Sequence, residues 1–331
     1  APDTPIQVVF ENAVGTREDM RSRGVGTAMI EGAASALADR VDVLMVYRGG
    51  ERTRGYKFYR RSGHHDLIYL RQCRWDGEGA GDNDTSVHGT ERMAEDADGI
   101  DRLFRGVYAG YGGFPPRRSG YQDAMLQHQI FATLPQETVY VRHPAEGALQ
   151  AYGLAGLRTR NGGDGLVRVQ ELAGASDQAV GLVLERFGRL AAQQGSLLMR
   201  YTSTDDPYRV LMRRIGFTEG PRDLQILGRV IRPSVLFRKV CRNQELLADW
   251  RIEVWTPSWD GILFEGARAS RTVVLETKDA FLTRLLCRRL DPVAGIRQDL
   301  ISVRNGTDVF VERLGRALSF SPWCYHALDY I

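Results

Sequence analysis

Apolar and polar positions alternate along this chain in long, separable blocks. The run Ile6–Phe10 is apolar and reads as a strand, and a polar loop rich in Arg and Gly follows it. From Gly24 to about Asp39 the apolar positions take helical spacing. Val41–Tyr47 is apolar and β-branched, which predicts a buried strand. After a basic loop, Tyr56–Gly63 predicts a short helix that ends on a left-handed Gly63, and Asp66–Leu70 predicts the next strand. Strand, helix, strand, helix and strand make an α/β unit over residues 1–75.

Residues 76–98 hold Gly, Asp, Asn and Glu with almost no large apolar side chain, which predicts a linker or mobile loop. A second unit is expected over 99–229. Its helix starts at Gly99, a turn-rich loop runs over Gly110–Arg118, and Tyr121–Ala132 reads as helical. Strands are expected at Thr138–Arg142, Leu149–Leu157 and Gly165–Leu172. A long helix over Ser176–Gln194 and a strand over Ser196–Tyr201 follow. Asp206–Phe217 then repeats the helix-to-glycine pattern, with Pro207 in the first helical turn and Gly216 as the cap. Residues 230–331 form a third unit. Strands are expected at Trp250–Trp255, Ile262–Glu265 and Thr272–Glu276, and helices over Lys278–Arg288 and after Asp291-Pro292. Leu300–Val303 and Val309–Leu314 read as a hairpin about Asn305-Gly306.

Chemistry enters at Arg21-x-x-Gly24-x-Gly26. Backbone N–H groups at a helix start lack intrahelical partners and can bind an anion. Gly24 and Gly26 allow a phosphate to approach closely, and Arg21 and Arg23 add positive charge. The spacing is not G-x-G-x-x-G, and no Lys-Ser/Thr follows the glycines, so dinucleotide and P-loop readings fit worse. On the residues alone a plain turn with two glycines stays open.

The segment Val14–Gly26 resembles motif A of the GCN5-related N-acetyltransferases, and Tyr56–His64 resembles their motif B. The second unit resembles a degenerate domain of that family. Between its strand and long helix, Leu172–Ala179 offers no Arg and one glycine. The third unit loosely resembles a sterol-carrier-protein domain. The whole series resembles the enhanced-intracellular-survival (Eis) type of N-acetyltransferase. The fold class implied is α/β (α+β): two mixed-sheet acetyltransferase-like domains, then a sterol-carrier-like α+β domain.

The resemblance implies a cytoplasmic bacterial enzyme, a homo-oligomer (a hexamer in some members), that moves acetyl from acetyl-CoA to a primary amine of an aminoglycoside-like molecule or polyamine. It implies cofactor contact at Val14, Thr16, Arg21, Arg23, Gly24, Val25, Gly26 and Thr27. It implies Tyr59 as general acid, with Tyr56 as the fallback. The general base it implies is the terminal carboxylate of Ile331, threaded into the first domain's site, and His64, His326 and Asp329 are spare candidates. The aromatic, apolar tail Trp323–Ile331 independently suggests a buried terminus. The family's domain opens with elements that precede the cofactor strand, so N-terminal elements of the first domain are expected to be absent here. A non-catalytic CoA-binding or assembly protein and a carrier of lipid or small hydrophobes are the alternatives.

Composition changes little. The net charge of +3 on 331 residues does not argue for nucleic acid. No apolar run reaches 18 residues, so no membrane span is predicted. Cys73, Cys241, Cys287 and Cys324 lack C-x-x-C spacing and read as core thiols rather than a metal site.

Overall fold

Short-range signals set most elements, and each carries its own cap or stripe. In a computed structural model, residues 6–11, 14–49, 51, 53–78, 96–127, 136–142, 147–160 and 163–326 are described. The elements are β1 (Val8–Phe10), α1 (Val25–Ala36), β2 (Val43–Gly49), α2 (Arg54–Arg61), β3 (His65–Trp75), α3 (Asp96–Tyr108), α4 (Tyr121–Gln127), β4 (Gln136–Arg142), β5 (Leu149–Arg160), β6 (Gly163–Gly174), α5 (Asp177–Gln193), β7 (Ser196–Thr202), α6 (Arg209–Arg214) and β8 (Thr218–Val230). After them come α7 (Pro233–Val240), β9 (Trp250–Trp255), β10 (Asp260–Glu265), β11 (Arg271–Thr277), α8 (Asp279–Leu286), α9 (Pro292–Arg297), β12 (Ile301–Arg304) and α10 (Asp308–Ala317).

The chain divides into two units, each built from two stretches of sequence: Ala1–Tyr69 with Leu224–Ser321, and Leu70–Asp223 with Pro322–Ile331. These cut the chain differently from the expected boundaries at 75, 98 and 229.

In the first unit the strand order is β1-β2-β8-β3. β1 and β2 run parallel, Val8 opposite Val43 and Phe10 opposite Met45. β2 and β8 run antiparallel from Val43↔Val230 to Gly49↔Leu224. Ile30 of α1, Val46 of β2, Tyr59 of α2 and Leu227 of β8 share one core, with Val14, Tyr56 and Phe58 against it. Asp42, fully buried before β2, accepts from Gln7 N (2.8 Å), Arg232 Nη2 (2.6 Å) and Lys239 Nζ (2.7 Å). Burial works to raise its pKa, but Lys239, the Gln7 amide and Arg232 together hold it below the ordinary value. The same unit carries a second sheet, β10-β9-β11-β12, with β9 and β11 parallel.

In the second unit the order is β3-β7-β6-β5-β4. Its core gathers Phe104 and Tyr108 of α3, Val180, Val183, Leu184 and Phe187 of α5, and the inward residues of β4 to β7.

Several expectations need correction. The hairpin about Asn305-Gly306 is instead a strand followed by α10. Thr307 Oγ1 accepts from Phe310 N (3.3 Å) as a helix cap, and Phe310 and Leu314, four apart, are both fully buried. Pro207 lies outside α6, whose first residue is Arg209; Asp206 Oδ1 accepts from Tyr208 N (2.9 Å) just before it. α3 already includes Asp96, three residues before the start expected at Gly99, and the buried Asp96 is tied to Arg142. The expected loop over 76–98 otherwise falls largely outside the described residues, as does the helix expected beyond Gln127. Alternation did not announce β8 as one long strand. The four cysteines are buried and free.

Candidate functional site

The site begins where β1 ends. Glu11 N still donates to Met45 O (2.8 Å), after which the chain leaves the sheet. Arg21 Nε donates to Thr16 O (3.3 Å), and Arg21 Nη1 lies 3.5 Å from Glu18, closing the loop on itself. Gly24, at φ +79, turns this loop into α1, a conformation that a side chain would strain. The first intrahelical bond runs from Ala28 N to Gly24 O (2.9 Å), and no side chain caps the helix. The amides of Val25, Gly26 and Thr27 therefore open outward at the positive end of the helix dipole. Arg21 and Arg23 stand exposed beside them. A Cβ on Gly26 would lie 3.0 Å from Phe58 Cε2 and 3.4 Å from Thr16 Oγ1, so the helix start, the loop and α2 meet closely.

α2 is set by its ends. Thr53 Oγ1 accepts from Tyr56 N (3.2 Å) at the start. At the other end Gly63 takes φ +77 and His64 N donates to Tyr59 O (3.0 Å). This turns the Tyr59 ring inward to full burial, edge-on to Phe58 (5.0 Å between centroids) and to His64 (5.2 Å). The predicted acid thus shares one core with Val14 and the inner face of α1. Tyr56, the fallback, donates to Asp66 Oδ2 (3.0 Å); burial and then the Asp66 carboxylate raise its phenol, making it a poorer proton donor than a free phenol. His65 Nδ1 lies 2.9 Å from Arg60 Nη1. Burial first and the Arg60 charge second push that imidazole down to about 4, so it is neutral at neutral pH and accepts the guanidinium N–H.

Two further residues belong to this neighbourhood. Glu11 Oε2 lies 3.5 Å from His64 Nε2, with both side chains buried. Arg229 of β8 pairs with both oxygens of Glu31 on α1 (2.7 and 2.8 Å) and donates to Ser62 O (3.1 Å). It ties α1 to the end of α2. Glu11 carried one weak signal, a carboxylate directly after an apolar strand. Arg229 carried none, because its role depends on β8 pairing with β2.

The second unit repeats the layout with different chemistry. β6 and β7 run parallel from Gly165↔Ser196 to Arg168↔Met199, and α5 follows β6. Ser176 Oγ accepts from Ala179 N (3.2 Å) at the start of α5, and Asp177 sits in its first turn. Pro322–His326 packs in this unit. Gly112 N donates to Pro322 O (2.8 Å), Cys324 N to Gly112 O (3.1 Å), Ser203 Oγ to Trp323 O (2.7 Å) and Arg168 Nη2 to the Tyr325 hydroxyl (3.1 Å). His326 is fully buried among Tyr108, Phe104 and Phe114, its ring centroid 4.5, 5.0 and 5.3 Å from theirs. Burial, then the charges of Arg117 and Arg200, hold it well below its ordinary pKa. Ile331 and Asp329 lie outside the described residues.

No protein-family model matches the chain, and no curated protein matches it. Solved structures do. A probable N-acyltransferase from Enterococcus faecalis is similar at 14% identity and a TM-score of 0.67, over 96% of this chain and 80% of that one. A GCN5-related N-acetyltransferase from Anabaena variabilis is similar at 12% identity and 0.65, over 97% and 82%. Eis1 from Mycobacterium abscessus is similar at 15% identity and 0.55, over 95% and 80%. The chain has the fold of the GCN5-related N-acetyltransferases, with mixed α/β sheets. Among the described residues no helix is long and apolar enough to cross a membrane, and no group of three or more His, Cys, Asp or Glu could hold a metal ion.

Proposed function

We propose that this protein is an acyl-CoA-dependent N-acyltransferase. Acetyl-CoA is the donor, and a primary amine of an aminoglycoside-like molecule or a polyamine is the acceptor. One observation carries the reading: the uncapped, glycine-built start of α1 lies against the helix that buries Tyr59. The amides of Val25, Gly26 and Thr27, with Arg21 and Arg23, hold the pyrophosphate; Val14 and Thr16 line the strand side.

The amine attacks the thioester carbonyl, an N–C bond forms and the C–S bond breaks. Tyr59 gives its phenolic proton to the leaving thiolate. The proton lost by the amine passes to a base or to water.

The test is thiol release from acetyl-CoA across a panel of polyamines and aminoglycosides. Amine-dependent release that is lost in Tyr59→Phe supports the reading. Background release with every amine, despite measurable CoA binding, would leave a CoA-binding protein without transfer activity.

A further inference from the structure

An unexplained feature among the described residues of the first unit is a buried acid facing a buried imidazole. Glu11 Oε2 and His64 Nε2 are 3.5 Å apart, with His64 fully enclosed and Glu11 nearly so. Among the described residues neither Glu11 oxygen and neither His64 nitrogen has a hydrogen-bond partner. Burying such groups costs several kcal/mol unless they pair with one another, and apolar side chains would fill the same space more cheaply.

Position says what the pair reaches. Glu11 is the first residue past β1, at the point where its pairing with β2 ends. His64 is the first residue past the glycine that closes α2. Its backbone N–H is bonded to Tyr59 O (3.0 Å), and its ring stands edge-on to the Tyr59 ring. The pair therefore spans from the end of the strand to the helix that carries the acid.

We infer that Glu11 and His64 are positioning residues for Tyr59. Glu11 accepts the ring N–H of His64, the ring holds the face of Tyr59, and the phenol is set against the strand end where the thioester would lie. This rests on the acyl-transfer reading above. Among the described residues, Glu31 on α1 and His65 on β3 are ionisable groups that feel the charge of His64.

Two variants separate positioning from packing. His64→Phe keeps an aromatic ring against Tyr59 and removes both nitrogens; Glu11→Gln keeps the shape and removes the charge. Each is expected to lower kcat on the order of tenfold or more, with KM for acetyl-CoA within about twofold, because misplacement costs rate rather than donor affinity. The double variant should be no slower than the worse single, since both break one pair. Glu11→Asp should recover part of the rate. A readout independent of turnover is a low-field imidazole N–H resonance, assigned by its loss in His64→Phe and expected to vanish in Glu11→Gln.

Normal kcat in both single variants, alongside a slow Tyr59→Phe, overturns the pairing and leaves the acyl-transfer reading standing. Absence of that resonance from the wild-type protein also overturns it. A wild-type protein that shows the resonance and no transfer to any amine keeps the pair but removes the reaction.

Discussion

Two helix starts in this protein follow parallel strands and differ in nearly every chemical respect. α1 begins at Gly24 in a left-handed turn with no side-chain cap and two arginines exposed beside it. α5 begins at Ser176, whose hydroxyl already takes an amide of the first turn, with the carboxylate of Asp177 next to it. The first is open to an anion; the second has partly satisfied its own amides and opposes one. The second unit also places chain beside its strand pair. Tyr325 reaches Arg168 at the last paired position of β6, and its ring stands 6.3 Å from that of Tyr201 on β7. Shared element order thus does not carry shared chemistry at the helix start. A few residues separate an uncapped start beside two arginines from one capped by its own serine.

The largest expected effect comes from closing the open start. Gly26→Asp places a carboxylate where the phosphate is expected and a side chain against Phe58. CoA affinity should fall on the order of 100-fold, about 2.7 kcal/mol, as read by calorimetry. Wild-type stoichiometry should be one CoA per chain; two would remove the contrast between the units.

Next are the two tyrosines of the helix-to-glycine segments. Tyr59→Phe should slow transfer on the order of 100-fold with little change in donor KM. Tyr208 accepts from Gly174 N through its hydroxyl (3.0 Å), so Tyr208→Phe should cost about 1 kcal/mol of stability and leave kcat within about twofold.

Acid should act on both units through neutral histidines. His65 and His326 are held below 6.5 in the fold, while the unfolded chain takes up protons there. Their stabilising contribution is complete above pH 6.5 and declines as the pH falls below it. For His65 the decline ends near pH 4. Denaturant melts between pH 7 and pH 4 should show the loss, and His65→Asn should reduce it.

The smallest expected effect is Ser176→Ala, about 1 kcal/mol of stability from a lost helix cap, with no change in CoA binding.

Much of this was legible in the chain itself. Glycines at Gly24 and Gly63, the apolar run into β1 and the helical spacing of α1 and α2 were legible as backbone features of the candidate site, because each reports a local backbone need. The stretch after Asn305-Gly306 was misread. Its apolar positions fit alternation about as well as a helix, and the Thr307 cap and the burial of Phe310 and Leu314 decided it. Glu11, His64 and Arg229 were not legible as partners. Their meeting depends on β1, β2 and β8 lying side by side, and residues so far apart in the chain leave no spacing pattern.

By itself the sequence determined the order of elements, the glycine-built turn before α1 and the difference between the two helix caps, since these depend on the dihedral freedom and hydrogen-bonding groups of neighbouring residues. The tertiary structure decided that Tyr59 is buried, that a carboxylate and an imidazole stand behind it, and that Pro322–His326 packs in the second unit. Those depend on which surfaces long-range strand pairing brings together.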